Sequence, residues 1–158
     1  MKYTISITGN IMIVLVTIIF INSSFAQFEH SVDFPLYVGD SGSKIAVING
    51  NGEITERLPS GTLQLLATPS GIAFDKNGLL YVAETAGNRI STIYEGNRET
   101  FVSALSLPSG LAFDSTGNLY VSEYGTSLGS GEISKIEIDS ETGNPTNVVC
   151  IAQGLDFP

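Results

Sequence analysis

The sequence predicts an all-β fold of repeated, four-stranded antiparallel units, on three observations. Pro69-Ser70-Gly71-Ile72-Ala73-Phe74-Asp75, running on through Lys76-Asn77-Gly78 to Leu80-Tyr81-Val82-Ala83-Glu84, returns as Pro108-Ser109-Gly110-Leu111-Ala112-Phe113-Asp114, through Ser115-Thr116-Gly117 to Leu119-Tyr120-Val121-Ser122-Glu123. The copies keep register without a gap, and such a period marks supersecondary units that stack to cover one another's apolar faces. Each copy is followed by two further strand patterns of falling apolar density, as expected when inner strands lie between neighbours and outer ones meet water. Glycine and asparagine punctuate every change of direction, where positive φ is cheap. Units of this kind are the blades of a β-propeller.

Taken in order, residues 1–26 have the pattern of an export signal. Lys2 precedes an apolar run from Ile11 to Ile21 interrupted only by Thr17, and Ser24-Phe25-Ala26 offers small residues for cleavage before Gln27. The run is about half of what a ~30 Å hydrocarbon core requires. Secretion to the periplasm, cell surface or medium is therefore expected, without stable membrane insertion after cleavage.

Residues 27–68 make an incomplete first blade. Pro35-Leu36-Tyr37-Val38-Gly39-Asp40 matches the second half of the repeat, and the first half is missing or degenerate. Lys44 to Ile48, the turn Asn49-Gly50-Asn51-Gly52, and Glu53 to Leu58 form a hairpin. Residues 69–107 make a full second blade. Its strands are centred on Ile72-Ala73-Phe74, which is expected to be covered on both faces, then Leu80 to Ala83, Asn88 to Tyr94, and Glu99 to Val102. Residues 108–157 make a third blade. Placing Ile133 on Ile90 and Val149 on Val102 puts about four extra residues in each later turn and three before Pro158, so Gly125 to Gly131 and Ser140 to Thr146 are lengthened loops. Pro158 stands where a fourth blade would begin, and the chain is read as a fragment, about three blades with the ring not closed.

The composition excludes several function classes. Seven Lys and Arg face sixteen Asp and Glu, a formal net charge of −9, and such a surface repels phosphate backbones, so no nucleic-acid partner is expected. Cys150 is the one cysteine, so no internal disulfide forms; in Val148-Val149-Cys150-Ile151 it is expected to be a buried, inert thiol. His30 is the one histidine, and no Ser-His-acid set can be assembled around it.

Asp40, Glu84 and Glu123 hold the same place in three successive units. Projected into a ring at one face, they could bind a divalent cation such as calcium, or an amine. Alternatively each acid pairs within its blade, Asp40 with Lys44 and Glu84 with Arg89, or accepts N–H groups of the following turn. Asp75 and Asp114, each shortly before a glycine, are turn aspartates bonding their own backbone rather than a calcium loop, which would need alternating carboxylates and a distal glutamate. Phe74, Tyr81, Phe113 and Tyr120 recur at strand spacing and are core residues rather than a base-stacking platform.

The pattern Pro-x-Gly-apolar-Ala-Phe-Asp, a turn with Gly, apolar-Tyr-Val-x-acid and Asn88-Arg89-Ile90 resembles NHL repeats, and is similar to the senescence-marker/gluconolactonase-like propellers and their secreted bacterial relatives. The resemblance covers residues 35–158 and implies a six-bladed propeller of which about half is present. In the lactonase branch, it implies a divalent metal at the channel mouth, held partly by Asn and Asp between the Pro and Gly of the motif. Here those places are Ser70 and Ser109, poor ligands for a hard cation. In the NHL branch the acid after Tyr-Val is usually Asp, found here only at Asp40. No cofactor is evident beyond such a cation. The expected function is a scaffold binding a small molecule, glycan or protein on one loop-bearing face, through Gly125, Ser127, Gly129, Glu141 and Asn144. The alternative is a metal-dependent lactonase-like hydrolase or lyase with its site in the channel and Glu84 and Glu123 contributing.

Overall fold

A computed structural model describes residues 35–40, 43–59, 65–156 and 158; the segment expected to be an export signal and His30 lie outside them. Among the described residues, eleven strands form three antiparallel sheets. Strands β1 (Leu36–Asp40), β2 (Lys44–Ile48) and β3 (Ile54–Leu58) make the first, in that order. The second is β4 (Pro69–Phe74), β5 (Leu80–Glu84), β6 (Arg89–Tyr94) and β7 (Asn97–Ser103). The third is β8 (Pro108–Phe113), β9 (Leu119–Glu123), β10 (Gly131–Ile138) and β11 (Pro145–Leu155). Each is an up-and-down meander, as short turns between neighbouring strands dictate. The first has three strands among the described residues.

Strand alternation builds the core. On β5 every residue is buried: Leu80 and Val82 point into a cluster with Ile45, Val47, Leu58 and Leu66 of the first blade, while Tyr81 points the other way, to Leu119, Val121 and Ile136 of the third. The aromatic repeat joins blade to blade. Tyr37 meets Phe74 edge-on at 4.9 Å between centroids, and Tyr81 meets Phe113 at 5.0 Å.

The innermost strand departs from expectation. Ile72 and Ala73 are only half-buried and Phe74 is 41% exposed, because among the described residues β4 has no strand on its inner side and only one edge is paired. Blades touch there through backbone. A Cβ on Gly71 would fall 2.0 Å from the Ser109 carbonyl oxygen of β8, so only glycine fits.

The turn aspartates are as expected. Asp75 accepts the N–H groups of Asn77 and Leu79 at 2.8 and 2.9 Å, and Asp114 accepts those of Thr116 and Asn118, both at 2.9 Å. Asp139 does the same for Glu141 and Thr142 at the head of the long hairpin.

Two expectations are corrected. Ile133 does align with Ile90, but the outer strand is shifted: Ile90 pairs with Val102, whereas Ile133 pairs with Ala152 rather than Val149. Tyr94 pairs with Asn97 and the equivalent Glu137 with Asn147, so all the excess after β10 lies in the β10–β11 hairpin and none before Pro158. Cys150 is exposed, because β11 is the outermost strand and nine of its eleven positions face solvent. Burial among neighbouring atoms and then the nearby Glu132 carboxylate push its thiol pKa up. In the folded protein the Cys150 thiolate is expected to form a mixed disulfide with an aromatic disulfide reagent and displace one equivalent of aromatic thiolate, slowly at neutral pH and faster as pH rises. A thiol that reacts only after denaturation contradicts this.

Candidate functional site

Glu84 and Glu123, the two repeated acids whose side chains are described, are buried rather than open to solvent. Glu84 ends β5 with no exposed surface. Arg89 grips it with two bonds, Nε to Oε1 at 2.9 Å and Nη2 to Oε2 at 2.7 Å. Ser91 donates its hydroxyl to Oε1, the Ala67 N–H donates to Oε2 at 2.6 Å, and Arg98 Nη1 reaches Oε1 at 3.2 Å. Burial alone would raise this carboxyl; the donors and the Arg89 charge outweigh it and hold the pKa down at about 2. The expected Glu84–Arg89 pair is present. The backbone donor, however, belongs to the segment leading into β4, not to the following turn.

Glu123 repeats the placement, 2% exposed, and accepts the Ser106 N–H at 2.6 Å. Both carboxylates lie between blades, on the same faces as Val82 and Val121, so neither opens on the channel side. Asp40 ends β1 opposite Lys44. Its side chain lies outside the described part, and Lys44 Nζ donates to the Pro59 carbonyl at 2.8 Å. No group of three or more His, Cys, Asp or Glu among the described residues is placed to hold a metal ion. Ser70, at the place of a lactonase ligand, ties blades together: its hydroxyl lies 3.2 Å from the Ser109 carbonyl, and 2.8 Å from the hydroxyl of Thr85, which itself donates to Pro108 O at 2.8 Å.

The two lengthened loops do not share a face. Residues 124–130 join β9 to β10 and residues 139–144 join β10 to β11, so they lie at opposite ends of an eight-residue strand, roughly 25 Å apart. The first is bound to itself: Ser130 Oγ accepts the N–H groups of Thr126 and Ser127, and Gly129 N–H donates to Asp156 at 2.7 Å. Gly125 turns with φ 70°.

The second loop stands over a neighbour. A cleft of about 770 Å³ opens between Ser140 to Pro145 and the outer half of the second blade. Glu141 and Asn144 line one wall; Tyr94, Asn97, Glu99 and Phe101 line the other, with Tyr81 between. Tyr94 is 67% exposed. Burial and then Asp75 raise the Tyr81 hydroxyl to about 12, so it is a neutral donor at physiological pH. The residues of the opposing wall were invisible as a site in the sequence, where Glu95-Gly96-Asn97 is only a tight turn. One signal could have found them: third hairpin turns of successive blades lie on one face, so a lengthened turn must overhang its neighbour's.

Comparison with curated proteins finds no match. Residues 66–92 match the NHL repeat model. Among solved structures, a chain of a nidogen/laminin complex is similar at 22% identity and TM-score 0.59, over 78% of this chain and 47% of that one. A catalytically inactive virginiamycin B lyase from Staphylococcus aureus, solved with quinupristin, is similar at 26% identity and TM-score 0.53, over 73% and 38%. Hydrazine synthase of Kuenenia stuttgartiensis is similar at 15% identity and TM-score 0.61, over 85% and 40%. The chain thus spans less than half the length of each. With the three meandering sheets and the NHL repeat match over residues 66–92, these likenesses show that the chain has the fold of a β-propeller whose described blades do not close a ring.

Proposed function

We propose that this chain is part of an exported binding scaffold, and that its contact surface is the cleft between the β10–β11 hairpin and the second blade. The cleft itself carries the reading: most of the third blade's inserted residues go into a hairpin that overhangs the neighbouring blade, and the cleft they bound has a size that suits a small ligand. Its walls mix an exposed aromatic ring, Tyr94, with the carboxamides of Asn97 and Asn144 and the carboxylates of Glu99 and Glu141. Such a lining favours a neutral or cationic polar ligand, of which a glycan is the best match, and disfavours an anionic one. The earlier grouping of Gly125, Ser127 and Gly129 with Glu141 and Asn144 is set aside, since one flat partner cannot reach both ends of β10.

The test is a panel of neutral oligosaccharides titrated against the protein by calorimetry or NMR. Tyr94→Ala and Asn144→Ala are expected to weaken the binding at least tenfold each, and Ser127→Ala to leave it unchanged. Equal affinity in all four proteins would place the contact elsewhere.

The second reading, a lyase or hydrolase with a divalent metal in the channel, is favoured by the likeness to virginiamycin B lyase. In it, the described inner strands would contribute backbone and the hydroxyls of Ser70 and Ser109. Glu84 would act only in holding its blade, since its oxygens are already taken by Arg89, Ser91 and Ala67.

A further inference from the structure

The second and third blades are the same device with two differences. In the second, Glu84 pairs across the strands with Arg89, Ser91 follows on β6, and Arg98 arrives from β7 opposite Ile93. In the third, Glu123 pairs with Glu132, Ser134 stands for Ser91, and Val148, opposite Ile136, stands for Arg98. Both arginines are gone and a second carboxylate has come in. Glu123 Oε1 is buried with no hydrogen-bond partner among the described residues, where its counterpart in Glu84 receives two guanidinium groups and a hydroxyl.

We propose that the slot beside Glu123 and Glu132, occupied in the second blade by the Arg89 guanidinium, binds a hard divalent cation of the calcium type in the third. Two carboxylates facing each other across β9 and β10 repel unless a positive charge stands between them, and a buried orphan oxygen costs stability until it finds a partner. Two carboxylates do not complete a shell of six to eight oxygens, so the serine hydroxyl, backbone carbonyls or water must supply the rest. A site of that kind belongs with the weak extracellular class, with Kd about 10⁻⁴–10⁻³ M.

The experiment is thermal unfolding of the protein in EDTA, then in about 10 mM calcium, with sodium chloride at matched ionic strength as control. Calcium is expected to raise Tm by about 3–6 °C, with no change in the control. Glu132→Arg is expected to melt higher than wild type in EDTA and to lose the calcium response, because its guanidinium takes the slot. Glu132→Gln, which alters no volume, is expected to lose most of that response too, and serves if the arginine variant does not fold. Cys150→Ser is expected to keep it. The proposal is overturned by a wild type that does not respond to calcium, a response equalled by sodium chloride, an undiminished response in either folded Glu132 variant, or loss of the response in Cys150→Ser.

Discussion

Glu84→Gln is expected to lower the unfolding free energy by about 3–5 kcal/mol, the usual cost of removing one partner from a buried, hydrogen-bonded ion pair. The carboxylate is the acceptor for Arg89, Arg98, Ser91 and the Ala67 N–H, and an amide accepts on one side only. Those donors come from β6, β7 and the segment entering β4, so the loss loosens the blade and its attachment to the first. Urea unfolding at pH 7 measures it; a change under about 1 kcal/mol would show that the pair contributes little beyond packing. The same group makes stability pH-dependent. Its folded pKa, about 2, lies below the unfolded value near 4.5, so the folded state releases the proton first. The contribution is complete above the unfolded value and is lost as pH falls from about 4.5 to 2, about 3 kcal/mol over that window. The gap between wild type and Glu84→Gln should therefore be widest at neutral pH and close by pH 2. A gap independent of pH would remove the charge from the explanation.

Gly71→Ala is expected to destabilise at least as much, or to prevent folding. The new methyl would meet the Ser109 carbonyl oxygen at 2.0 Å and the Gly110 Cα at 3.0 Å, and both are backbone of the next blade. Nothing there can rotate aside, so β4 and β8 must separate, which opens the contact tied by Ser70 and Thr85. Gly110→Ala is the control. Its methyl would meet only the Ser122 hydroxyl, at 3.0 Å, which can turn away at the loss of its bond from the Gly110 N–H. Circular dichroism melts should show Gly110→Ala close to wild type and Gly71→Ala unfolded or many degrees lower. Equal melting points would contradict the close approach of the inner strands.

Much of the fold was legible because its cause is local. The repeated Pro-Ser-Gly-apolar-Ala-Phe-Asp and Leu-Tyr-Val-x-Glu segments set both strand and turn, and the Asp75 and Asp114 turns follow from a side chain bonding N–H groups two and four residues on. The pairing of Glu84 with Arg89 was legible for the same reason: the two face each other across one short turn. Less legible was whatever depended on edges. Phe74 and Cys150 read as core because their neighbours in sequence are apolar, yet they lie on the innermost and outermost strands, where one side has no neighbour. The candidate cleft was half legible. Glu141 and Asn144 were singled out from loop length, but Tyr94 and Asn97 on the facing wall belong to another blade and give no signal of their own.

By itself the sequence determined the all-β class, the blade period, the turns, and the positions of the repeated acids. Those are fixed by alternation along a strand and by turn chemistry within a few residues. Tertiary structure alone decided that the lengthened loops stand at opposite ends of β10, that Glu84 is saturated while Glu123 keeps an orphan oxygen, and that Gly71 admits no side chain. Each depends on which groups of different blades are brought together, a distance set by the packing of one sheet on the next, which no short stretch of chain encodes.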